Sequence, residues 1–250
     1  MAVPVVLALD TASAVTSVAL VGAGTVVEQS HVDPRGHAEV VIPLVRAVLM
    51  TSATTRPEII ACGVGPGPYT GLRVGIATAR ALALSWSVPL VGVCSLDAVA
   101  WAARASGVAG PLGVAMDARR REIYWATYDR FGQRTDGPGV CRPSELQASA
   151  ADLRWVGSGT SALPPPLHIV EPPPWGPSGL PGLAGAIAQR VQQELLPGFV
   201  EAGAFRHAAG SWLADHGADS GATARGLMGQ VILAPEPLYL RRPDAVAMRG

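Results

Sequence analysis

Two aspartates stand where buried strands are predicted to end. Asp10 follows the apolar residues 3–9, and Asp117 follows the apolar residues 112–115. Residues 119–121 are three consecutive arginines, whose guanidinium groups can bind phosphate oxygens. The same arginines could instead form a solvated turn, so the residues alone leave weak nucleotide contact open.

Histidine and cysteine spacing predicts no metal site and no catalytic residue. A helical zinc motif places two histidines about four residues apart, whereas His31 and His37 are six apart across a Pro/Gly loop. The Gly-x-Ser-x-Gly pattern of a hydrolase nucleophile does not occur either. The cysteines Cys62, Cys94 and Cys141 are odd in number and widely spaced, as expected for reduced core thiols.

Composition indicates a globular chain with no overall attraction to nucleic acid. The 250 residues allow one large domain or two lobes, with 49% hydrophobic and 15% charged residues. All basic residues are arginines, and 19 of them balance 19 acidic residues. The first residues resemble a strand rather than a signal peptide, so we expect a cytoplasmic protein that does not enter membranes.

The stretch 62–86 contains the sharpest change of pattern in the chain. An apolar run over residues 59–65 predicts a buried strand, and the Gly-Pro-Gly-Pro sequence at 65–68 must interrupt it. Helical spacing of apolar residues then predicts a helix over 72–86. The stretch is therefore a strand, a tight loop and a helix.

A ridge of small residues runs along this helix. Its members recur every four residues: Gly71, Gly75, Ala79 and Ala83. Such a ridge lets another helix approach closely, or it packs against the protein's own sheet, and the pattern alone does not separate these two interpretations. A membrane-dimerisation helix is disfavoured because Arg73 and Arg80 interrupt the apolar run.

The predicted elements divide the chain into two α/β lobes. The order β-β-β-α-β-α-β-α over residues 1–105 predicts a mixed sheet flanked by helices. The small residues 105–110 form a predicted linker to a second, smaller lobe over 111–182, which repeats the opening strand and aspartate. A helix at about 183–196 is expected to pack back on the first lobe, and residues 235–250 form an ordered-looking tail.

Several motifs resemble, in this order, those of the TsaB (YeaZ) family. They are LALDTAS, GHAEVVIPLV, GPGPYTGLRVGIATARALA, GVCSLDAVA, DARRREIYWA and EPLYLRRPD. The resemblance covers about residues 3–197 and 235–244, and the glycine-rich loop with its helix is the most specific part. Residues 198–234 depart from the family pattern and are either an insertion or a flexible segment.

The resemblance implies a fold, a function and partners. The fold is that of the actin-like, Hsp70-like ATPase superfamily, with two ribonuclease-H-like lobes. The implied role is a non-catalytic dimerisation and activation subunit in tRNA threonylcarbamoyladenosine biosynthesis. Its partners would be the catalytic subunit TsaD and the ATPase TsaE, with a homodimer in the absence of TsaD. Contact with tRNA would be indirect, through the complex.

The resemblance also marks a degenerate nucleotide site. Active members of this fold hold phosphates with glycine-rich hairpins after the first strand of each lobe. The corresponding positions here are Asp10 and Thr11 in one lobe and Asp117 and Arg119 in the other, without the glycines. We therefore expect no cofactor, with weak or partner-shared nucleotide binding left open. The alternative function is an independent ATPase or sugar kinase.

The helices predicted at 37–50 and 72–86 are the expected partner interface, in a four-helix contact with TsaD or a second copy. The residues expected to supply it are His37, Val41, Leu44, Val45, Val48, Leu72, Gly75, Ile76, Ala79 and Leu82. A bulky side chain at Gly75 would break association if the small-residue ridge faces outward, and would unfold the lobe if it faces inward.

Overall fold

The computed structural model describes residues 3–22, 24–52, 56–146, 152–170, 183–195 and 235–240. The predicted atypical segment 198–234 lies outside this part of the chain, as does most of the predicted tail.

The first lobe is a mixed five-stranded sheet in the order β3-β2-β1-β4-β5. Strands β1 to β3 form antiparallel hairpins, whereas β4 and β5 continue the sheet in parallel with β1. Its elements are β1 (Val6–Asp10), β2 (Val15–Gly22), β3 (Thr25–Val32), α1 (His37–Ser52), β4 (Ile59–Gly63), α2 (Tyr69–Trp86), β5 (Leu90–Val93) and α3 (Ser95–Ala105). The predicted element order and the α/β class are confirmed.

Both faces of this sheet are covered, because β1 is apolar from Val6 to Leu9 and successive side chains point to opposite faces. Leu7 and Leu9 pack in one cluster with residues of α1 and α2. Val6 and Ala8 pack in a second cluster with residues of α3 and of the second lobe. Helices α1 and α2 therefore cover the outside of the first lobe, and α3 lies between the lobes.

The second lobe is another mixed five-stranded sheet, in the order β10-β9-β6-β7-β8. Its strands are β6 (Leu112–Asp117), β7 (Ile123–Tyr128), β8 (Arg134–Cys141), β9 (Arg154–Val156) and β10 (His168–Ile169). Sequence patterns missed β8 and β10, because β8 contains glycine and proline and β10 is a two-residue strand in a proline-rich segment. Two 3₁₀ turns lie at Pro143–Glu145 and Thr160–Ala162.

Helix α4 (Leu183–Arg190), extended by a π-helical turn at Val191–Leu195, packs on β1 and β2 of the first lobe. Its first amide groups are bound by side chains of that lobe. Ala184 donates its backbone N–H to Ser17 Oγ at 3.1 Å, and Gly185 donates to Glu28 Oε1 at 3.2 Å. Its apolar residues join the cluster that connects the two lobes.

Residues 235–240 return to the first lobe beside the start of α2. The backbone N–H of Leu238 donates to the carbonyl of Val64 at 2.7 Å, and the ring of Tyr239 stacks on Tyr69 at 4.7 Å. Residues 235–240 are therefore part of the folded lobe although they are distant from it in the chain. Among the described helices, none is both long and apolar enough to cross a membrane.

Candidate functional site

Asp10, the predicted nucleotide-site aspartate of the first lobe, is enclosed by the protein itself. It is only 1% exposed. Its carboxylate accepts the backbone N–H of Ala12 at 3.0 Å and the hydroxyl of Ser95 at 2.9 Å. Gly63 passes so close that an added Cβ would lie 1.8 Å from Asp10 Oδ2. The side chain is therefore a buried structural acceptor.

The small-residue ridge packs against the same hairpin. Thr11 is fully buried and donates its hydroxyl to the carbonyl of Gly71 at 2.7 Å. A Cβ added at Gly75 would lie 2.3 Å from Thr11 Oγ1, and one added at Gly67 would lie 2.4 Å from the carbonyl of Ala12. The protein's own loop and helix thus occupy the space beside Asp10 and Thr11, so these residues do not line an open phosphate site.

The corresponding hairpin of the second lobe is exposed. Asp117 Oδ1 accepts the backbone N–H of Arg119 at 2.8 Å, and residues 119–121 have φ angles of 59°, 55° and 63°. Left-handed backbone is unfavourable for residues other than glycine. This strained turn holds the arginines at the surface, where their cations can bind an anion.

His37, predicted as an exposed interface residue, is 5% exposed. Its Nδ1 lies 2.7 Å from the hydroxyl of Thr16. Desolvation by burial lowers the pKa of His37 and outweighs the negative charge of Asp33, which raises it. His37 is therefore a neutral core residue near physiological pH.

The structure corrects the position of most other predicted interface residues. The set that lies inside the first lobe is Val41, Val45, Val48, Leu72, Gly75, Ile76 and Ala79. These residues face the sheet, since the sheet's apolar face must be covered by the helices. Leu44 and Leu82 are half-buried at the edge of the same cluster. The small-residue ridge therefore packs against the protein's own sheet, and its area is not available to a partner in the folded chain.

The opposite sides of α1 and α2 carry a second set of residues that sequence analysis missed. We name this set the outer face: Glu39, Ile42, Arg46, Met50, Arg73, Ala77, Arg80, Ala81 and Leu84, all exposed. Leu84 is 70% and Met50 80% exposed. Their helical spacing was available in the sequence, but it could not show which of two apolar stripes faces the sheet.

A cavity of about 300 Å³ lies at the lobe junction, lined by α3, the β7–β8 turn and the end of α4. Beside it, buried Asp97 accepts the hydroxyl of Tyr128 at 2.8 Å. The same carboxylate pairs with Arg190 at 3.3 Å and Arg134 at 3.5 Å. These four residues come from both lobes and α4, so the network holds the junction together.

The buried thiols of Cys62 and Cys94 are not reactive nucleophiles. Burial raises the pKa of Cys62 and of Cys94 to about 12, so neither is a thiolate at neutral pH. Within the described ranges, no cluster of three histidine, cysteine or acidic side chains has the arrangement of a metal site.

Two carboxyl groups, the buried Asp10 and the half-buried Glu28, should make stability depend on pH. Burial raises the pKa of Asp10 from 3.8 to about 6, and that of Glu28 from 4.5 to about 7. The folded chain keeps protons that the unfolded chain releases, so stability should fall as pH rises from about 4 to about 7 and then level off. Asp10→Asn should flatten this slope and gain about 3 kcal/mol at high pH.

Urea unfolding of wild type and Asp10→Asn at pH 5 and pH 8 measures this effect, with exposed Asp136→Asn as the matched control. A variant that keeps the wild-type pH slope would show that Asp10 ionises as freely in the fold as in the unfolded chain.

Comparison with known proteins assigns the chain to a family. A family profile described as TsaD, tRNA N6-adenosine threonylcarbamoyltransferase, matches residues 20–166. An uncharacterized protein of Mycobacterium tuberculosis is 39% identical over 70% of this chain and 82% of its own length. The tRNA threonylcarbamoyladenosine biosynthesis protein TsaB of Escherichia coli is 37% identical over 64% of this chain and 73% of its own length.

A solved structure agrees with these sequence matches. YeaZ from Pseudomonas aeruginosa is 28% identical, with a TM-score of 0.63 over 80% of this chain and 92% of that one. The two lobes, the glycine-rich loop and these similarities lead to one assignment: the chain belongs to the TsaB (YeaZ) family.

Proposed function

We propose that this chain is the non-catalytic partner subunit of a TsaD-type threonylcarbamoyltransferase in tRNA threonylcarbamoyladenosine biosynthesis. The observation that carries the proposal is the outer face, where apolar side chains remain exposed on two adjacent helices. Exposed apolar residues grouped in this way are typical of a protein interaction site. TsaB and TsaD are related proteins, since the TsaD profile matches more than half of this chain.

The enclosed hairpin supports a non-catalytic role. Asp10 and Thr11 are bound by the protein's own groups, and Gly71 and Gly75 leave no space beside them. Nucleotide contact, if the complex has one, would use the exposed Arg119 together with groups of the partner. We assign no cofactor to the chain alone, and we propose that TsaE and tRNA meet it only within the TsaD complex.

Purified chain should therefore hydrolyse no ATP. The measurement is phosphate release by the purified chain, by an Asp117→Ala variant and by a blank preparation. Turnover that is present in wild type and absent in Asp117→Ala would contradict the proposal and favour an independent ATPase.

Leu84→Asp should abolish binding to TsaD. The change places a carboxylate in the apolar part of the outer face, where desolvation of an unpaired charge is costly, and we expect a loss of at least about a hundredfold in affinity. Binding is measured by calorimetry with the TsaD of the same organism. Phe131→Asp is the matched control, because Phe131 is 71% exposed against 70% for Leu84 and lies on the second lobe.

Thermal melting of both variants should match wild type, since both positions are exposed. Equal binding by Leu84→Asp and wild type would show that TsaD docks elsewhere. If Phe131→Asp were the weaker binder, the interface would lie at the lobe junction.

A further inference from the structure

Arginines dominate the charge of the outer face. Arg46 lies on α1, and Arg73 and Arg80 lie on α2, against the single acid Glu39. All four residues are exposed. The chain as a whole is neutral, so this excess of two positive charges is a local property of the helices that cover the first lobe.

Arg73 is held in place before any partner arrives. Its guanidinium carbon lies 4.0 Å from the centre of the Tyr69 ring. Its Nε donates to the hydroxyl of Tyr239 at 3.1 Å, and Tyr239 stacks on Tyr69. The side-chain entropy that an interface arginine ordinarily loses is therefore largely lost already on folding.

Arg46 and Arg80, like Arg73, have no acidic partner among the described residues. In the described part of the chain, neither forms an ion pair with an acidic side chain. An interface that covers them must supply carboxylates or leave buried cations unpaired, which is costly.

A second copy of the chain that binds through the same face supplies too few carboxylates. A symmetric dimer places the same patch on both sides, so six arginines would share two copies of Glu39. Like charges across an interface oppose association. The apolar residues Ile42, Met50 and Leu84 favour burial of the outer face. The positive charge of the outer face opposes its burial against the same face of a second copy.

We propose that the outer face selects a partner whose contacting surface carries carboxylates opposite Arg46, Arg73 and Arg80, and that this charge disfavours self-association. The inference rests on the proposed function and gives the chemistry of the partner surface. It makes TsaD the preferred occupant, and a second copy a weaker one when TsaD is absent.

Salt and charge reversal test the inference together. Binding of wild-type chain to TsaD, and self-association by sedimentation, are measured at about 50 mM and about 500 mM NaCl, where charge screening differs strongly. We expect salt to weaken the TsaD complex and to strengthen self-association. Arg46→Glu/Arg80→Glu should weaken TsaD binding by at least about a hundredfold, or about tenfold for each reversed residue.

A mixture of wild type with the charge-reversed variant gives an independent readout. The mixed pair brings opposite charges together, so it should associate at least about tenfold more tightly than wild type alone. Arg130→Glu is the control, since Arg130 is an exposed arginine on the second lobe. It should leave TsaD binding and self-association unchanged, and thermal melting establishes that every variant is folded.

The outcomes separate this inference from the proposed function. If wild type binds TsaD but salt and charge reversal leave its affinity unchanged, the charge inference is overturned and the proposed function stands. If wild type self-associates as tightly as it binds TsaD at low salt, the selectivity is overturned. If wild type does not bind TsaD at all, the proposed function fails, and the inference with it.

Discussion

Gly75→Leu is expected to destabilise the first lobe rather than merely release a partner. A Cβ alone would lie 2.3 Å from Thr11 Oγ1. Thr11 cannot move aside, because it is fully buried and its hydroxyl is bound to the carbonyl of Gly71. Overpacking of this kind costs about 3 kcal/mol, well above the 1 kcal/mol or so that a helix gains when glycine is replaced.

Ala77→Leu is the matched control for this prediction. It adds a leucine half a turn away on the same helix, but at an exposed position of the outer face. Urea unfolding should show the loss for Gly75→Leu and a change within about 0.5 kcal/mol for Ala77→Leu. A Gly75→Leu variant with wild-type stability and impaired TsaD binding would mean that the small-residue ridge faces the partner after all.

Asp97→Ala should produce a comparable loss by loosening the junction between the lobes. The carboxylate is the acceptor for Tyr128, Arg134 and Arg190 together. Removing it leaves two arginines without their counter-charge in a largely buried setting, a change that costs about 3 kcal/mol. For a chain of this size, the melting temperature should fall by roughly 10 °C.

Two variants show whether charge or packing is responsible. Asp97→Asn keeps the shape and an acceptor for Tyr128 but removes the charge, so its stability should lie between wild type and Asp97→Ala. Glu39→Ala removes an exposed carboxylate from α1 and should cost less than about 1 kcal/mol. An Asp97→Ala variant that melts at the wild-type temperature would show that the apolar cluster alone holds the lobes together.

The amino-acid sequence by itself determined the elements of the first lobe, their order and the family. Strand and helix periods are local properties, and the Gly-Pro-Gly-Pro sequence can continue neither a strand nor a helix. Strands β8 and β10 were not predicted, because the neighbouring strands stabilise them despite their poor local strand propensity. The motifs that carry the family resemblance are also local, so they needed no knowledge of packing.

Tertiary structure alone decided what the helices show to solvent. Helix α1 has apolar residues on two sides, with Val41 facing the sheet and Ile42 facing out. The helical period alone does not show which of these two sides is buried. The small-residue ridge allows any neighbouring element to approach closely. Thr11 lies against Gly75 only because α2 packs on the sheet of its own lobe. Ser95 reaches Asp10 across 85 residues of sequence. Burial and charge environment depend on such distant contacts, and no local pattern encodes them.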